Sequence, residues 1–377
     1  MNISRLIAIT RKETIQIFRD SRSLMIVFVM PLMLMALMGY GISLDQKHVP
    51  FCVLDREGSQ QSQDLLRRFK ASEYFELVGV NSDYSQLVHE IDQGRCSLGI
   101  VIPQDFSERL RKGGPVEVQG IVDASNDNTA NLIFGYAEAV VINYSAGVQL
   151  RYLQGRGYRS APRSLSLEAR TWFNEDLISL NFIVPGVVVI VMAVVGTFLS
   201  ALTVAREWER GTMEQLISTP VTRLEVTVGK LIPYFVIGLV DTAFCASIAV
   251  FWYGVPFRGA VSVLFLASAL FLAAVLLLGY WISAATKSQL AASQFSLILT
   301  FLPSFLLSGF AFPIDQMPVA IQGITYLFPA RYYLAILKSV FLKGAGIAPL
   351  LPQMFALVLF ALIVGRMALK SFHKSLT

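Results

Sequence analysis

Charged residues are scarce in this chain of 377 residues. Asp, Glu, Lys and Arg together make up 15% of it, whereas hydrophobic residues make up 54%. Soluble domains carry about 25% charged residues, so much of this chain faces a medium other than water. The excess of Lys and Arg gives a net charge of +5, and these residues flank apolar runs. That placement favours membrane orientation over nucleic-acid binding.

The motifs that support most enzymes and metal centres are also missing. The three histidines lie in separate regions, and three cysteines are too few for a disulfide scaffold or a metal cluster. No G-x-x-x-x-G-K-[ST] phosphate loop occurs, because Gly229-Lys230 lacks the upstream glycine and is followed by Leu231. Neither H-E-x-x-H nor G-x-S-x-G is present. We therefore expect no catalytic residue, no metal and no cofactor on this chain.

Six long windows are nearly free of charge, and each is long enough to cross a bilayer as a helix. They predict an α-helical polytopic membrane protein with six transmembrane helices at 23–44, 177–205, 231–257, 259–286, 288–311 and 344–366. Most Lys and Arg residues outside these windows fall on the side of the N-terminus and of the tail, 367–377. Both termini are therefore expected in the cytoplasm. A few positive residues fall on the other side: Arg258, Arg331, Lys338 and Lys343.

The segment 45–176, between the first two predicted spans, is too polar for lipid and too long for a simple loop. Short β-like runs alternate with helical patterns in it. The runs lie at 49–54, 75–80, 97–103 and 116–123, and the helical patterns at 60–71, 84–94, 104–112 and 128–154. The segment is predicted to be a large extracytoplasmic α/β domain with a mixed or parallel sheet. Its Cys52 and Cys96 are either a disulfide or two buried free thiols.

The first cytoplasmic segment, 1–22, has the pattern of an amphipathic helix. Arg5, Lys12 and Arg19 share its basic face, and apolar residues such as Ile3, Leu6, Ile7, Ile17 and Phe18 share the opposite one. Such a helix lies along the inner leaflet. It is either a plain interfacial anchor or also a contact for a soluble partner.

The second cytoplasmic segment, 206–230, is charged and contains residues that typically start and stop helices. Gly211 breaks the chain, and Thr212 with Gln215 predicts a capping box for a short helix. A second box, Thr222 with Glu225, predicts the start of the next span. On these grounds alone the segment is either an ordinary charged loop or a stiff docking element.

The string V-A-R-E-W-E-R-G-T-M-E-Q-L-I-S-T-P at 204–220 closely resembles the corresponding loop of ABC-2 type transporter permeases, in the bacterial drug-exporter branch. Shorter agreements fall in the expected order along nearly the whole chain, at 11–13, 39–41, 127–130, 307–310 and 328–333. The loop string is specific, whereas each shorter agreement is weak alone.

The resemblance implies a half-transporter in the bacterial inner membrane that dimerises with a second copy or a paralogous permease. A separate cytoplasmic ATPase subunit would bind ATP and Mg. The family arrangement places a coupling helix in 206–230, a connecting helix at 1–22 and a periplasmic domain that meets an adaptor protein in Gram-negative members. The stretch 312–343 is either a pair of re-entrant helices, as in the family, or an interfacial hairpin lying on the bilayer. The residues expected at the ATPase contact are Arg206, Glu207, Trp208, Glu209, Arg210, Gly211, Thr212, Glu214, Ser218, Arg5, Lys12 and Arg19.

Candidates for a substrate path are few. Asp241 is alone inside the third predicted span, where it either binds a cation or serves the structure. Phe295, Phe301 and Phe305 in the fifth span either line an apolar path or pack against lipid and protein. The expected cargo is hydrophobic or amphipathic, drug-like or lipid-like. The rival functions are a membrane receptor with a ligand-binding outer domain and an ion-coupled secondary transporter that uses Asp241.

Overall fold

The computed structural model describes residues 2–41, 48–112, 116–125, 127–155 and 178–371. The chain divides into two compact units. Met1–Ser43 and Thr171–Thr377 form the first, here called the helical unit, and Leu44–Arg170 forms the second, called the α/β unit.

The helices in chain order are α1 Ile3–Arg19, α2 Ser21–Gly41, α3 Gln60–Ala71, α4 Tyr84–Asp92, α5 Phe106–Lys112, α6 Asp127–Gly155, α7 Leu180–Glu209, α8 Thr212–Ser218, α9 Arg223–Ser247, α10 Val261–Thr286, α11 Gln289–Leu306, α12 Val319–Thr325, α13 Pro329–Lys338 and α14 Leu351–Ser371. Short π-helical turns extend α9 over Ile248–Trp252 and α13 over Ser339–Lys343. The strands are β1 Val49–Asp55, β2 Phe75–Val80, β3 Leu98–Ile102 and β4 Gln119–Val122.

The α/β unit contains a four-stranded sheet in the order β2-β1-β3-β4. β1 pairs in parallel with both β2 and β3, while β4 pairs antiparallel to β3. Of the two predicted alternatives, a mixed or a parallel sheet, the structure shows the mixed one. β3 is buried along its whole length, as expected for a central strand whose residues are apolar on both faces. Phe51, Phe69 and Phe75 pack their rings together in the core between the sheet and α3.

Capping side chains mark the starts of two helices in the α/β unit. Ser59 caps α3 by accepting from the Ser62 amide at 3.1 Å, and Asp83 caps α4 by accepting from the Ser85 amide at 3.3 Å. The predictions at 60–71 and 75–80 are confirmed to the residue. Cys52 on β1 and Cys96, just before β3, are joined by a disulfide with their Cα atoms 5.8 Å apart.

Among the described residues, five helices of the helical unit are long and apolar enough to cross a membrane. They are Leu180–Glu209, Arg223–Trp252, Val261–Thr286, Gln289–Leu306 and Ala348–Ser371. α2 contributes a shorter apolar stretch, Met25–Gly41. These helices fit a polytopic membrane protein, and the sixth span at 23–44 stays a prediction.

α7 is the central helix of this unit, and it packs against α2, α9, α10, α11 and α13. Most of its residues are buried, because the helix is apolar on every side. Gly279 lets α10 approach it closely. A Cβ atom at Gly279 would lie 2.1 Å from the Ser200 hydroxyl oxygen and 2.2 Å from the Thr197 carbonyl oxygen. Small residues thus set the closest helix contact, as is common in membrane proteins.

Several predicted span ends differ from the observed helices: α9 begins at Arg223 rather than 231, and α14 covers Leu351–Ser371 rather than 344–366. α11 ends at Leu306 rather than near 311, because Gly309 takes a left-handed conformation with φ of 86° and turns the chain. α7 continues past the predicted end at 205 to Glu209. A charged residue ends an apolar window of the sequence. It does not end the helix when its side chain pairs with another charged group inside the protein.

The stretch 312–343 forms two short helices, α12 and α13. α13 lies in the same core as the long apolar helices. Its Tyr333 is fully buried, shares a hydrogen bond of 2.8 Å with Ser268 on α10, and stacks on the Phe271 ring with centroids 4.2 Å apart. Burial against long apolar helices suits a re-entrant element, and its position in a membrane stays a prediction.

Candidate functional site

The N-terminal helix α1 lies against α9 with one buried stripe. Ile9, Glu13 and Ile17, each one turn apart, form that stripe. Ile9 reaches close to the α9 backbone because position 229 is glycine, where a Cβ atom would lie 2.9 Å from the Ile9 side chain. Ile3 and Phe18 remain exposed within the chain. The apolar face of α1 therefore divides into a part that packs on α9 and a part that is exposed.

A buried ion cluster joins three helices at this point. We define it as Lys12 and Glu13 of α1, Glu207 of α7 and Lys230 of α9. The Lys230 ammonium lies 2.6 Å from a Glu13 carboxylate oxygen and 2.9 Å from a Glu207 carboxylate oxygen. Lys12 forms a further salt bridge with the same Glu207 oxygen.

The cluster is neutral, with two ammonium groups and two carboxylates, and three of its members lie in the protein interior. Glu13, Glu207 and Lys230 are only 2%, 3% and 1% exposed. Removing one partner of a buried pair leaves an uncompensated charge, which costs far more than losing an exposed pair. The cluster therefore fixes how α1, α7 and α9 lie relative to one another.

Two further ties hold α1 beside the loop 206–230. The Arg206 guanidinium lies 3.0 Å from a carboxylate oxygen of Asp20, just after α1. The Glu225 carboxylate accepts from the Thr222 amide at 2.8 Å and from the Asn2 amide at 2.6 Å. The predicted capping box of Thr222 and Glu225 is confirmed, and it also engages the residue that caps α1.

The short helix α8 is anchored on one side and exposed on the other. Gly211, with φ of 67°, ends the preceding helix, and α8 begins at Thr212 itself. The predicted capping box at Thr212 is wrong, because that residue is already helical and its hydroxyl donates to the Glu207 carbonyl oxygen at 3.4 Å. Met213 is buried in a cluster with Ile9 of α1 and Val226 of α9.

The residues expected at an ATPase contact fall into buried, half-buried and exposed groups. Arg206 and Glu207 are buried, and the neighbouring Trp208 and Glu209 contact the region that joins α10 to α11. Lys287 lies over the Trp208 ring at 4.5 Å, and the Glu209 carboxylate accepts from the Gln289 amide at 2.7 Å. The exposed residues are Glu209, Arg210, Gly211, Glu214 and Ser218 on or beside α8 with Lys12 and Arg19 on α1, while Arg5, Trp208 and Thr212 are half-buried.

The sequence profile of the ABC-2 family transporter proteins matches residues 22–370. This chain belongs to the ABC-2 transporter family. It is 40% identical over 341 residues to the probable multidrug ABC transporter permease YbhS of Escherichia coli strain K12, covering 90% of this chain and 89% of that protein. It is 25% identical over 370 residues to the probable multidrug ABC transporter permease YbhR of the same strain, covering 98% of each.

The similarity extends beyond Escherichia coli. The ABC-2 chain is 23% identical over 399 residues to the linearmycin resistance permease protein LnrN of Bacillus subtilis strain 168, covering 98% of this chain and 99% of that protein. Family membership agrees with the resemblance predicted from the loop at 204–220. It favours a transporter permease over a receptor and over an ion-coupled secondary transporter.

The residues of this ABC-2 permease that are predicted to line a substrate path lie in different environments. Asp241 is buried on α9, where the Cys245 thiol donates to its carboxylate at 3.6 Å. Phe301 and Phe305 stack on each other along α11 with ring centroids 5.9 Å apart, while Phe295 is exposed. A role for these four residues in transport stays a prediction.

Sequence reasoning missed Glu13 and Lys230 as members of the site. Glu13 belongs to the R-K-E triplet at 11–13, and Lys230 entered only as part of a failed phosphate loop. The available signal was a charged residue, Lys230, at the edge of an apolar span, which needs a partner of opposite charge. Its partner on α1 is 217 residues away in sequence, so only the fold identifies the pair.

Proposed function

We propose that this chain is the membrane permease of an ATP-driven exporter, with its motor on a separate ATPase subunit. The ABC-2 family membership supports the permease role, and the relatives named as multidrug permeases support export of hydrophobic or amphipathic compounds. Two copies, or this chain and a paralogous permease, would enclose the path. ATP and Mg belong to the ATPase, and no residue of this chain has a catalytic role in the proposal.

The proposed topology has six spans with both ends in the cytoplasm of a bacterial inner membrane. Such an arrangement places the α/β unit in the periplasm, where an oxidising environment suits the disulfide between Cys52 and Cys96. The exposed surface of that unit is then available to a periplasmic adaptor protein. α12 and α13 would cover the path from the outer side as re-entrant helices.

The buried ion cluster is the observation that carries the coupling role. A helix that transmits force must be held firmly by the helices that it moves. α8 is seated through Met213, while the ion cluster fastens α1 to the helices on both sides of α8. We assign Arg206 and Glu207 to this internal support, because both are buried and paired.

The ATPase contact then falls to the exposed charges of the loop. Arg210 and Glu214 project from a supported segment, so they are available for charge-assisted bonds with a soluble protein. ATP-driven closure of two ATPase subunits would push α8 and α1 and shift the permease between inward and outward states.

Charge reversal on α8 tests this function. In the complex purified with its own ATPase subunit, Arg210→Glu and Glu214→Lys should each weaken association about tenfold, equivalent to about 1.4 kcal/mol. The double variant should lose transporter-dependent ATP hydrolysis. Association is measured by titrating the purified ATPase subunit onto the permease in lipid nanodiscs, and hydrolysis by phosphate release.

Glu108→Lys provides the matched control, because Glu108 is an exposed glutamate on a short helix of the α/β unit. That variant should hydrolyse ATP at the rate of the unmodified complex. A double α8 variant with normal ATPase affinity and normal hydrolysis would refute the coupling role. Glu207→Lys is a poor test, because Glu207 is buried and its loss would disturb the fold.

A further inference from the structure

A second candidate site lies near the start of α7, at the opposite end of that helix from the ion cluster. A cavity of about 580 Å³ opens between the start of α7, the turn after α11, α13 and the start of α14. Its lining includes Phe182, Ile314, Tyr326, Arg331, Lys338 and Gln353. No residue of the ion cluster or of α8 contributes to it.

Lys338 brings a positive charge into this cavity, and no carboxylate of the described residues forms a salt bridge with it. Its ammonium lies over the Phe182 ring, 3.6 Å from the centroid, and its nearest described acceptor is the Gly309 carbonyl oxygen at 3.5 Å. An ammonium group has three donors, so most of its hydrogen-bonding capacity is unused within the described residues. Lysines beside apolar protein at membrane depth usually mark a binding or transport site.

Other groups in the cavity do not neutralise Lys338. Arg331 also lines it, but the Arg331 guanidinium is held by the Thr325 hydroxyl and stacks on the Tyr326 ring at 3.7 Å. Asp315 is the one carboxylate in the lining, and no salt bridge joins it to Lys338 among the described residues. Two cations and one carboxylate leave the lining with one excess positive charge.

The cavity also holds an unused acceptor and an apolar wall. The side-chain oxygen of Gln353 is buried and has no hydrogen-bond partner among the described residues. Phe182 stacks on Phe310, which packs against Phe305, so aromatic rings continue from the cavity along α11. A ligand that fits combines an anionic group, a hydroxyl and an apolar chain.

We propose that this cavity binds the head group of an anionic amphiphile, with a phosphate or carboxylate on Lys338 and the apolar chain along Phe182. A hydroxyl of the same head group donates to Gln353. Such a molecule has two sources, namely an anionic phospholipid of the surrounding membrane or the transported cargo. The site stands on the local geometry and does not depend on the ATPase contact.

The test measures ligand binding to the purified full chain in detergent by native mass spectrometry. Phosphatidylglycerol should bind at least about tenfold more tightly than phosphatidylcholine, because only the former carries a net negative charge. Dodecyl phosphate should bind, whereas inorganic phosphate without an apolar chain should not. Lys338→Met should lower the affinity for phosphatidylglycerol and dodecyl phosphate by about tenfold or more, and Lys338→Arg should retain most of it.

Lys343→Met is the matched control, because Lys343 follows on the same segment, is exposed, and does not line the cavity. Without ligand, Lys338→Met should melt at or above the temperature of the unmodified protein, since it removes an unbalanced charge. A residue with a structural role would instead lower that temperature. Gln353→Leu is a second variant. It should weaken the binding of phosphatidylglycerol and leave the binding of dodecyl phosphate unchanged, because dodecyl phosphate has no glycerol hydroxyl groups.

The masses retained by protein purified from its own membrane distinguish the two sources. A phospholipid mass that disappears in Lys338→Met identifies a lipid site, and another anionic amphiphile identifies the cargo. The proposal is overturned if Lys338→Met binds phosphatidylglycerol and dodecyl phosphate as tightly as Lys343→Met does. It is also overturned if phosphatidylcholine binds as well as phosphatidylglycerol. Neither result bears on ATP hydrolysis, which tests the coupling role separately.

Discussion

Replacing Lys230 with methionine should remove most of the folded protein. The change leaves the carboxylates of Glu13 and Glu207 in the protein interior without the ammonium that lies between them. Breaking a buried ion pair from one side typically costs about 3–5 kcal/mol. The thermal unfolding of the purified chain in detergent, together with its yield from membranes, measures the effect.

Lys12 offers an internal comparison, because it pairs with the same Glu207 oxygen from a half-exposed position. Lys12→Met should cost only about 1 kcal/mol or less. Adding Glu13→Gln to Lys230→Met should recover part of the loss, since one stranded charge is then removed. Together with Glu13→Gln alone, these variants complete a double-mutant cycle that gives the coupling energy between the two side chains. Equal stability of Lys12→Met and Lys230→Met would mean that the cluster does not hold the helices together.

Adding a single methyl group at Gly279 should also be severe. The Cβ atom of Gly279→Ala would meet the Thr197 carbonyl oxygen at 2.2 Å, and a backbone atom cannot move aside as a flexible side chain does. The closely packed α7 and α10 would have to separate. Overpacking costs about 1–3 kcal/mol and sometimes more. We expect the upper end of that range, measured as a lower unfolding temperature in detergent.

Gly365→Ala is the control, because a Cβ atom there would have its nearest neighbour, a Leu277 methyl carbon, at an ordinary 3.5 Å. Alanine is favoured over glycine inside a helix by about 1 kcal/mol, so this variant should be neutral or slightly stabilised. If both variants unfold at the same temperature, the close approach at Gly279 does not limit the packing.

The sequence was most informative where local signals act alone. In the α/β unit, α3 and β2 match their predicted ranges, because helical and alternating apolar patterns depend only on near neighbours. The long apolar windows identified the membrane helices for the same reason. The composition of about 20 consecutive residues is enough to predict a helix that crosses a membrane.

The residues of the candidate site are brought together by partners far apart in the chain, so local sequence patterns could not predict them. Glu207 looked like a surface residue of a charged loop, yet it is buried because Lys230 and Lys12 neutralise it. Lys338 counted only as a positive charge on the less favoured side of the membrane. Its unusual setting depends on Phe182 and Gly309, which come from two other segments of the chain.

The side of the membrane on which α8 lies is the central claim, and labelling of a single introduced cysteine tests it directly. The native Cys245 is buried and the other two cysteines are joined, so Glu214→Cys is the reactive thiol. A membrane-impermeant maleimide should leave it unmodified in spheroplasts, modify it in inside-out vesicles, and modify it less when the ATPase subunit is bound. Glu108→Cys in the α/β unit should give the opposite pattern. Modification of Glu214→Cys in intact spheroplasts would contradict the account.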